Sequence, residues 1–262
     1  MRENTVKSIW AKGGVVVNGW LGIPSAFSAE VMAHQGFDSL LIDMQHGVVD
    51  YQTAVTMLQA ISTTPVIPLA RVPWNEPAYL MKILDAGAMG VVCPMINTRA
   101  QAEQLVASCK YPPRGFRSFG PVRALIYAGK DYAKKANDDL IVMPMIETAE
   151  ALKNLDDILS TPGVDAAYVG PADLSLALGC TPGLDQTEAP VVEAQKTIAA
   201  ACQKHGVVPG IHTGSAKYAL KMIDDGYRFV TLASDARLLA SRASEMVSAV
   251  RKTAAGGVVP AY

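Results

Sequence analysis

The sequence lacks the features that mark membrane, nucleic-acid-binding and disulfide-rich proteins. Its formal net charge is -1 and no basic stripe is present, which argues against nucleic acid and anionic membranes as partners. No apolar run approaches the roughly 18 residues of a membrane span, and the first residues lack the apolar core of a signal peptide. The cysteines, Cys93, Cys109, Cys180 and Cys202, form no C-x-x-C pair and predict reduced thiols in a cytoplasmic protein.

A glycine-rich dinucleotide turn is also missing. The segment from Asn18 to Pro24, after the first predicted strand, lacks the G-x-G-x-x-G pattern of a doubly wound sheet, which is the structural alternative. Eight short apolar runs alternate instead with helical stretches, as in an α/β protein of the (β/α)8 barrel class. The predicted strands are residues 15–18, 39–43, 66–71, 90–95, 141–147, 165–170, 209–213 and 229–234.

The predicted helices occupy the segments between these strands. They begin near Ser25 or Ser28, cover residues 51–61, 77–85 and 99–109, include a stretch ending near Ala136, and continue over 188–205, 216–225 and 235–253. No linker-like composition divides the chain, so residues 1–262 are predicted to form a single domain. The last helix carries an apolar set that we expect to pack on the barrel or on a neighbouring subunit: Leu238, Leu239, Met246, Val247 and Val250.

Polar residues follow several predicted strands, at the end of the barrel that carries chemistry. They are Asp43 and His46 after the second strand, Arg71 after the third, Glu147 after the fifth, Asp173 after the sixth and His212 after the seventh. Simpler alternatives exist: Asp173 as an N-cap, Glu147 as a charge at a helix start, and Arg71 as a surface side chain. Either histidine could be structural. Together the set predicts a metal-assisted acid/base site.

Two carboxylates without a cysteine partner favour a hard cation. Mg²⁺ or Mn²⁺ is expected at Glu147 and Asp173, with Co²⁺ or Zn²⁺ as alternatives. A 2-oxo acid suits such an ion, because its carboxylate and ketone oxygens can bind together. Arg71 is then expected to stabilise the enolate oxyanion, and His46, its tautomer fixed by Asp43, to move the proton.

The substrate-binding residues are expected around this metal site. The helix that starts near Asp173 can offer N–H groups to the substrate carboxylate. We expect the substrate to contact Arg71, Trp20, His212 and the turn Gly170, Pro171, Ala172 and Asp173.

Six motifs make the sequence similar to a known family. They are LIDMQH at 41–46, RVPWNEP at 71–77, LDAGAMG at 84–90, YPPRGFR at 111–117, IET at 146–148 and GPADL at 170–174. On these motifs, residues 20–239 resemble the HpcH/HpaI aldolases, which are class II pyruvate aldolases. The resemblance implies a phosphoenolpyruvate/pyruvate-type TIM barrel. It also implies metal-dependent making and cleaving of the bond between an aldehyde and a pyruvate or hydroxypyruvate-type 2-oxo acid.

The same resemblance implies residue roles and an assembly. Glu147 and Asp173 match the metal ligands, His46 the base, Asp43 its supporting residue, and Arg71 the enolate-stabilising arginine. Asp85 matches an aspartate that reaches a neighbouring subunit's site, in a homohexamer with exchanged C-terminal helices. One departure is Gln45, where many members have Glu immediately before the base.

Two other functions stay open at this point. One is an enzyme of the related acyl-CoA lyase group, which normally needs a longer chain and a CoA-binding surface. The other is a non-catalytic barrel that binds oxo acids as a sensor. Retention of the polar set at the strand ends favours the aldolase.

Overall fold

Eight parallel strands form a closed barrel in the computed structural model, which describes residues 1–255. Each strand pairs with the next in the chain, and β8 closes the barrel by pairing with β1. The strands are β1 (Val16–Leu21), β2 (Ser39–Asp43), β3 (Ile67–Arg71), β4 (Gly90–Cys93), β5 (Ile141–Ile146), β6 (Ala166–Val169), β7 (Val208–Thr213) and β8 (Phe229–Ser234).

Helices precede β1 and follow every strand. The first seven are α1 (Thr5–Ala11), α2 (Ala26–Ala33), α3 (Tyr51–Ile61), α4 (Pro77–Asp85), α5 (Arg99–Cys109), α6 (Val122–Ala128) and α7 (Tyr132–Asp139). The remaining six are α8 (Ala149–Lys153), α9 (Leu155–Leu159), α10 (Pro171–Ala177), α11 (Ala189–His205), α12 (Ala216–Asp224) and α13 (Asp235–Ala255).

The barrel confirms the predicted fold class and excludes the doubly wound sheet. All eight predicted strands are present. They could be predicted because strands covered on both faces appear in sequence as short continuous apolar runs. Every residue of β2 through β6 is buried, which is the environment that those runs predict.

Helix α1 precedes the first predicted strand and is not predicted from the sequence. It and the residue before it cover the end of the barrel where the strands begin. Asn4 Nδ2 donates to the carbonyls of Met89 and Asp139 at 3.1 and 2.8 Å, and Trp10 Nε1 donates to the carbonyl of Arg228 at 3.1 Å. These carbonyls lie just before β4, β5 and β8. The opposite end, where the strands finish, stays open as the mouth.

Helix α13 leaves its apolar residues in solvent within the single chain. Leu239 is 66% exposed and Val250 68% exposed, and Leu238, Met246 and Val247 are also exposed. The expectation that these side chains pack on their own barrel is therefore wrong. Packing on a neighbouring subunit stays a prediction.

Two further expectations concern thiols and membranes. The four cysteines are free thiols, and Cys93, Cys109 and Cys202 are buried. Across residues 1–255, no helix combines the length and apolar character that crossing a bilayer requires.

Candidate active site

The strand-end residues surround one cavity at the mouth of the barrel. The cavity has a volume of about 190 Å³. Its lining residues are Trp20, His46, Arg71, Met145, Tyr168, Gly170, Pro171, Ala172, Asp173, Leu184 and His212. All seven predicted substrate-binding residues are in this lining, together with the predicted base. Met145, Tyr168 and Leu184 line it without having been predicted.

A buried ion pair forms one side of the mouth. Asp43 and Arg71 end neighbouring strands and are register partners, so their side chains lie side by side. Arg71 donates from Nε to Asp43 Oδ1 at 2.9 Å and from Nη2 to Oδ2 at 2.7 Å, a bidentate pair. Burial alone would raise the pKa of Asp43, but the hydrogen bonds and charge of Arg71 lower it below its usual value. The carboxylate therefore stays ionised.

Trp20 joins this ion pair to the next part of the wall. Its indole Nε1 donates to Asp43 Oδ2 at 3.1 Å, and the Arg71 guanidinium carbon lies 4.7 Å from the centre of its ring. The same ring stacks on the Tyr168 ring, with 5.6 Å between ring centres, and meets the His212 ring edge-on, with 4.8 Å between ring centres. Trp20 is thus fixed by charge on one side and by aromatic contacts on the other.

Asp43 reaches His46 through the backbone. Its Oδ1 accepts from the backbone N–H groups of Gln45 and His46 at 3.0 and 3.2 Å. Within the described residues, no hydrogen bond joins the carboxylate to the His46 imidazole, so the expectation that Asp43 fixes the imidazole tautomer needs correction. Asp43 instead holds the loop that carries His46, because its oxygens are already occupied by Arg71 and Trp20. The Gln45 side-chain oxygen is buried and has no hydrogen-bond partner among the described residues.

Glu147 is the buried carboxylate on the other side of the mouth. It is only 2% exposed, and its Oε1 accepts from the backbone N–H of Met95 at 2.8 Å. Burial raises the pKa of Glu147 to about 7; the Met95 N–H opposes this shift, and the negative charge of Asp173 adds to it. This environment disfavours the ionised form unless a cation accompanies it.

Two backbone features shape the space around Glu147. Met95 has a φ of 56°, a left-handed conformation that non-glycine residues rarely adopt, and its N–H donates to the carboxylate. A Cβ at Gly170 would lie 2.4 Å from Glu147 Oε2, so any side chain there would displace the Glu147 carboxylate. Met95 is a contributor that sequence reasoning missed, because no residue-type signal marks a methionine in this conformation.

The donor set fits a divalent cation. Glu147 and Asp173 approach closely enough for the charge of one to raise the pKa of the other, and Asp173 is exposed to the mouth. Within residues 1–255, no cluster brings together three or more His, Cys, Asp or Glu side chains. Mg²⁺ commonly uses one or two carboxylates and completes its shell with water and substrate oxygens. Two carboxylates at an open mouth meet that requirement.

Asp85 lies apart from the mouth. It ends α4, and its Oδ1 accepts from Arg117 Nη2 at 2.6 Å. Because α4 runs antiparallel to the strands, its last residue lies at the end of the barrel opposite the mouth. The chain by itself does not bring Asp85 to the site, so its expected role depends on a second subunit.

His212 lies in β7, half-buried in the cavity wall. Its Nδ1 is 3.2 Å from the hydroxyl oxygen of Tyr168. Burial, together with the positive charge of Arg71, lowers the pKa of His212 to about 4, so the imidazole is neutral at pH 7. In the sequence, Tyr168 lies within an apolar strand, and its hydroxyl group is the only sign of a polar role.

The closed parallel barrel, with a buried arginine–carboxylate pair and two further carboxylates at the mouth, places the chain among the (β/α)8-barrel enzymes. Residues 19–242 match the family model described as HpcH/HpaI aldolase/citrate lyase, and the chain belongs to this family. The resemblance noted from its motifs is confirmed.

Relatives and solved structures agree over nearly the whole chain. A hydroxypyruvate/pyruvate aldolase of Rhizorhabdus wittichii is 40% identical, with 95% of this chain and 99% of the relative covered. A 4-hydroxy-2-oxo-heptane-1,7-dioate aldolase of Escherichia coli is 38% identical, with 94% of each covered. The crystal structure of an HpcH/HpaI aldolase/citrate lyase family protein from Burkholderia cenocepacia gives a TM-score of 0.89 at 32% identity, covering 95% of this chain and 99% of that one.

Removing the guanidinium from the Asp43–Arg71 pair should destabilise the fold. Arg71→Met leaves a buried carboxylate without its counter-charge, which typically costs about 3–5 kcal/mol. Urea unfolding at pH 7 measures the loss, and the double variant Arg71→Met with Asp43→Asn should recover part of it. Arg99→Met, which removes an exposed pair with Glu103, is the matched control and should change little. Equal effects of Arg71→Met and Arg99→Met would contradict a structural role of the buried pair.

Glu147→Gln should stabilise the metal-free protein at pH 8. The pKa of Glu147 in the folded protein, about 7, lies above the ordinary value of 4.5. The folded state therefore holds this proton more tightly than the unfolded state, and the resulting contribution to the free energy of unfolding is lost as pH rises from 4.5 through 7. An uncharged amide avoids this loss, which is on the order of 3 kcal/mol. Differential scanning fluorimetry should show a higher Tm for Glu147→Gln at pH 8, and the difference should shrink toward pH 5.

Added Mn²⁺ tests the metal assignment in the same experiment. It should raise the Tm of the wild type, because it binds the folded state, but not the Tm of Glu147→Gln. Glu150→Gln, an exposed neighbour in α8, is the control and should keep the metal response. A full Mn²⁺ response in Glu147→Gln would remove Glu147 from the metal site.

Proposed function

We propose that this protein is a divalent-metal-dependent aldolase that makes and cleaves the carbon–carbon bond between a pyruvate-type 2-oxo acid and an aldehyde. The observation that carries the proposal is the joint presence of Arg71, Asp173 and His46 around one small cavity, with Glu147 buried beside it. A cation site, an enolate-stabilising donor and a proton carrier are the three elements that this chemistry needs. The activities named for the relatives are of the same class.

Glu147 and Asp173 are the residues that would hold the cation. A divalent ion bound there supplies Lewis-acid polarisation of the 2-oxo acid's ketone and carboxylate oxygens. Mg²⁺ or Mn²⁺ is our proposal, because both ligands are hard oxygens. A cation held there would also favour the ionised form of Glu147 in its buried position.

Arg71 would stabilise the charge that develops on the ketone oxygen. Nε and Nη2 are committed to Asp43, which fixes the plane of the guanidinium. Nη1 has no hydrogen-bond partner among the described residues and is left for the substrate. A donor already held in place is effective because it needs no reorganisation when the enolate forms.

The turn between β6 and α10 would receive the substrate carboxylate. Pro171 has no N–H, whereas Ala172 and Asp173 belong to the first turn of α10, whose N–H groups have no acceptor within the helix. This turn lies close to Glu147 because Gly170 has no side chain that would push the two apart. The 2-oxo acid would therefore span from Arg71 to the turn.

His46 would carry the proton. In synthesis it accepts a proton from the carbon next to the ketone, the enolate carbon attacks the aldehyde carbon, and the protonated His46 returns its proton to the new alkoxide oxygen. Cleavage is the reverse sequence. His46 is exposed at the mouth and lines the cavity, so it can exchange protons with water as well as with substrate.

An assay of pyruvate release from 4-hydroxy-2-oxo acids tests the function. We expect release that EDTA abolishes and Mn²⁺ or Mg²⁺ restores. Cleavage of an acyl-CoA substrate without pyruvate release would indicate the acyl-CoA lyase class. Oxo-acid binding without turnover would indicate a sensor.

His46→Ala separates the base from the metal site in the same assay. Aldol cleavage and exchange of pyruvate methyl protons with deuterated water should slow together, by roughly 10²–10⁴-fold, because both need the same proton transfer. Mn²⁺ affinity should change little. The control is His34→Ala, because His34 is the residue that follows the last turn of α2 and does not line the cavity. Unchanged proton exchange in His46→Ala would assign the base elsewhere.

We also propose that the protein is a cytoplasmic homohexamer with exchanged α13 helices. The exposed apolar residues of α13 support a subunit contact, since a monomer would leave them in water. Asp85, remote from its own mouth, would then serve a neighbouring site.

Light scattering tests the assembly. The wild type should have about six times the chain mass of 27.8 kDa. Met246→Glu with Val250→Glu should dissociate it and lower activity, because charges replace exposed apolar residues. Ser241→Glu on the same helix is the control. A monomeric, fully active wild type would refute the assembly.

A further inference from the structure

A chain of buried polar side chains runs from the interior of the barrel to the cavity wall. Ser39 Oγ lies 2.8 Å from Asn18 Oδ1, and Asn18 Nδ2 lies 3.0 Å from Thr231 Oγ1. Thr231 Oγ1 is 2.8 Å from the Tyr168 hydroxyl, which is 3.2 Å from His212 Nδ1. The first four side chains are fully buried, whereas His212 reaches the cavity.

The direction of these hydrogen bonds follows from which groups need an acceptor. Among the described residues, the Ser39 hydroxyl has one acceptor, Asn18 Oδ1, so the amide must turn its NH₂ group toward Thr231. Thr231 Oγ1 accepts from that NH₂ group. Either hydroxyl of the Thr231–Tyr168 contact can donate, but only Tyr168 has a second possible acceptor, His212 Nδ1, within the described residues. The Thr231 hydrogen is therefore assigned to the Tyr168 oxygen. A buried hydroxyl without an acceptor would be costly, which favours this direction.

Tyr168 then has its own hydroxyl hydrogen to donate to His212 Nδ1. Burial raises the pKa of Tyr168, so the hydroxyl keeps its proton. His212 is neutral for the reason given above, and a neutral imidazole that accepts at Nδ1 carries its proton on Nε2. Gly210 makes room for this contact, since a Cβ there would lie 3.3 Å from the Tyr168 ring.

We infer that Tyr168 is a positioning residue that holds His212 as the Nε2–H tautomer, and that His212 is thereby a neutral hydrogen-bond donor to an oxygen substituent of the acceptor aldehyde. The second part rests on the proposed function. With the 2-oxo acid between Arg71 and the β6–α10 turn, His212 on β7 faces the remaining part of the cavity.

The other groups near His212 make its donor selective. The Trp20 indole N–H is committed to Asp43, and Leu184 and Met145 are apolar. An alkyl aldehyde would leave the Nε2–H unpaired, whereas an aldehyde with a hydroxyl beside its carbonyl would satisfy it. The cavity of about 190 Å³ holds roughly six water-sized groups at about 30 Å³ each, which limits the acceptor to a few carbons.

Nitrogen-15 NMR of protein with labelled histidine rings tests the tautomer without any turnover. At pH 7, His212, assigned by the loss of its signals in His212→Leu, should show a protonated Nε2 and an unprotonated Nδ1. Solid-state spectra are suited to a large assembly. A proton on Nδ1, or on both nitrogens, would overturn the assignment.

Variants of the chain test whether Tyr168 imposes this state. Tyr168→Phe should shift the His212 signals toward a mixture of tautomers. Tyr227→Phe, which removes a buried hydroxyl bonded to the Gln195 carbonyl, is the matched control and should leave the signals unchanged. If Tyr168→Phe does not fold, Thr231→Val should produce the mixture and Thr231→Ser should prevent it. A single Nε2–H tautomer in both Tyr168→Phe and Thr231→Val would remove Tyr168 from this role.

Kinetics with paired aldehydes test the selectivity. In synthesis, His212→Leu should lower kcat/KM for glycolaldehyde on the order of tenfold through KM, with acetaldehyde little changed. Equal losses for both would place the donor on the carbonyl oxygen that they share and overturn the selectivity. If the wild type converts no aldehyde, the proposed function fails, yet the NMR result still decides the tautomer.

Discussion

The bidentate contact between Arg71 and Asp43 is the interaction on which the mouth depends. Two residues that end adjacent strands are joined by two hydrogen bonds, and the remaining lone pairs of the carboxylate accept from Trp20 and from the backbone before His46. Burying two charges is costly unless each is fully satisfied. Here the same bonds that satisfy Asp43 also orient the guanidinium, the indole ring and the loop. One ion pair thus sets three parts of the site.

The second buried carboxylate has the opposite balance. Glu147 has an N–H donor from Met95, but within the described residues it forms no ion pair to match the one between Asp43 and Arg71, and the exposed Asp173 adds negative charge nearby. Burial therefore works against its ionised form. The two carboxylates differ in chemistry because Asp43 is paired with a buried guanidinium, whereas Glu147 has no such partner within the described residues. Their residue type alone would not distinguish them.

Much of the fold and the location of the site could be predicted from the sequence. Strands buried on both faces appear as apolar runs, and polar residues directly after them must converge on one end of a parallel barrel. What could not be predicted depends on contacts across the barrel. The backbone N–H of Met95 reaches Glu147, 52 positions later, and Tyr168 meets His212 and Thr231 at separations of 44 and 63 residues. The bonding of Asp43 differs from the prediction for a related reason. Its proximity to His46 in sequence suggested the imidazole, whereas Arg71 on the adjacent strand takes both oxygens.

The interior of a (β/α)8 barrel is normally filled by apolar side chains, so buried Ser39, Asn18 and Thr231 need a reason. Strand register places Asn18 beside both Ser39 and Thr231, and Thr231 beside His212. Such a row is tolerable only when every donor has an acceptor, and that condition allows one direction of donation along it. Each hydrogen bond has a donor and an acceptor, whereas an apolar contact has no such direction. A side chain deep in the barrel thereby determines which nitrogen of a mouth histidine bears the proton. Part of the chemistry of the site is accordingly encoded in the core and not only in the loops.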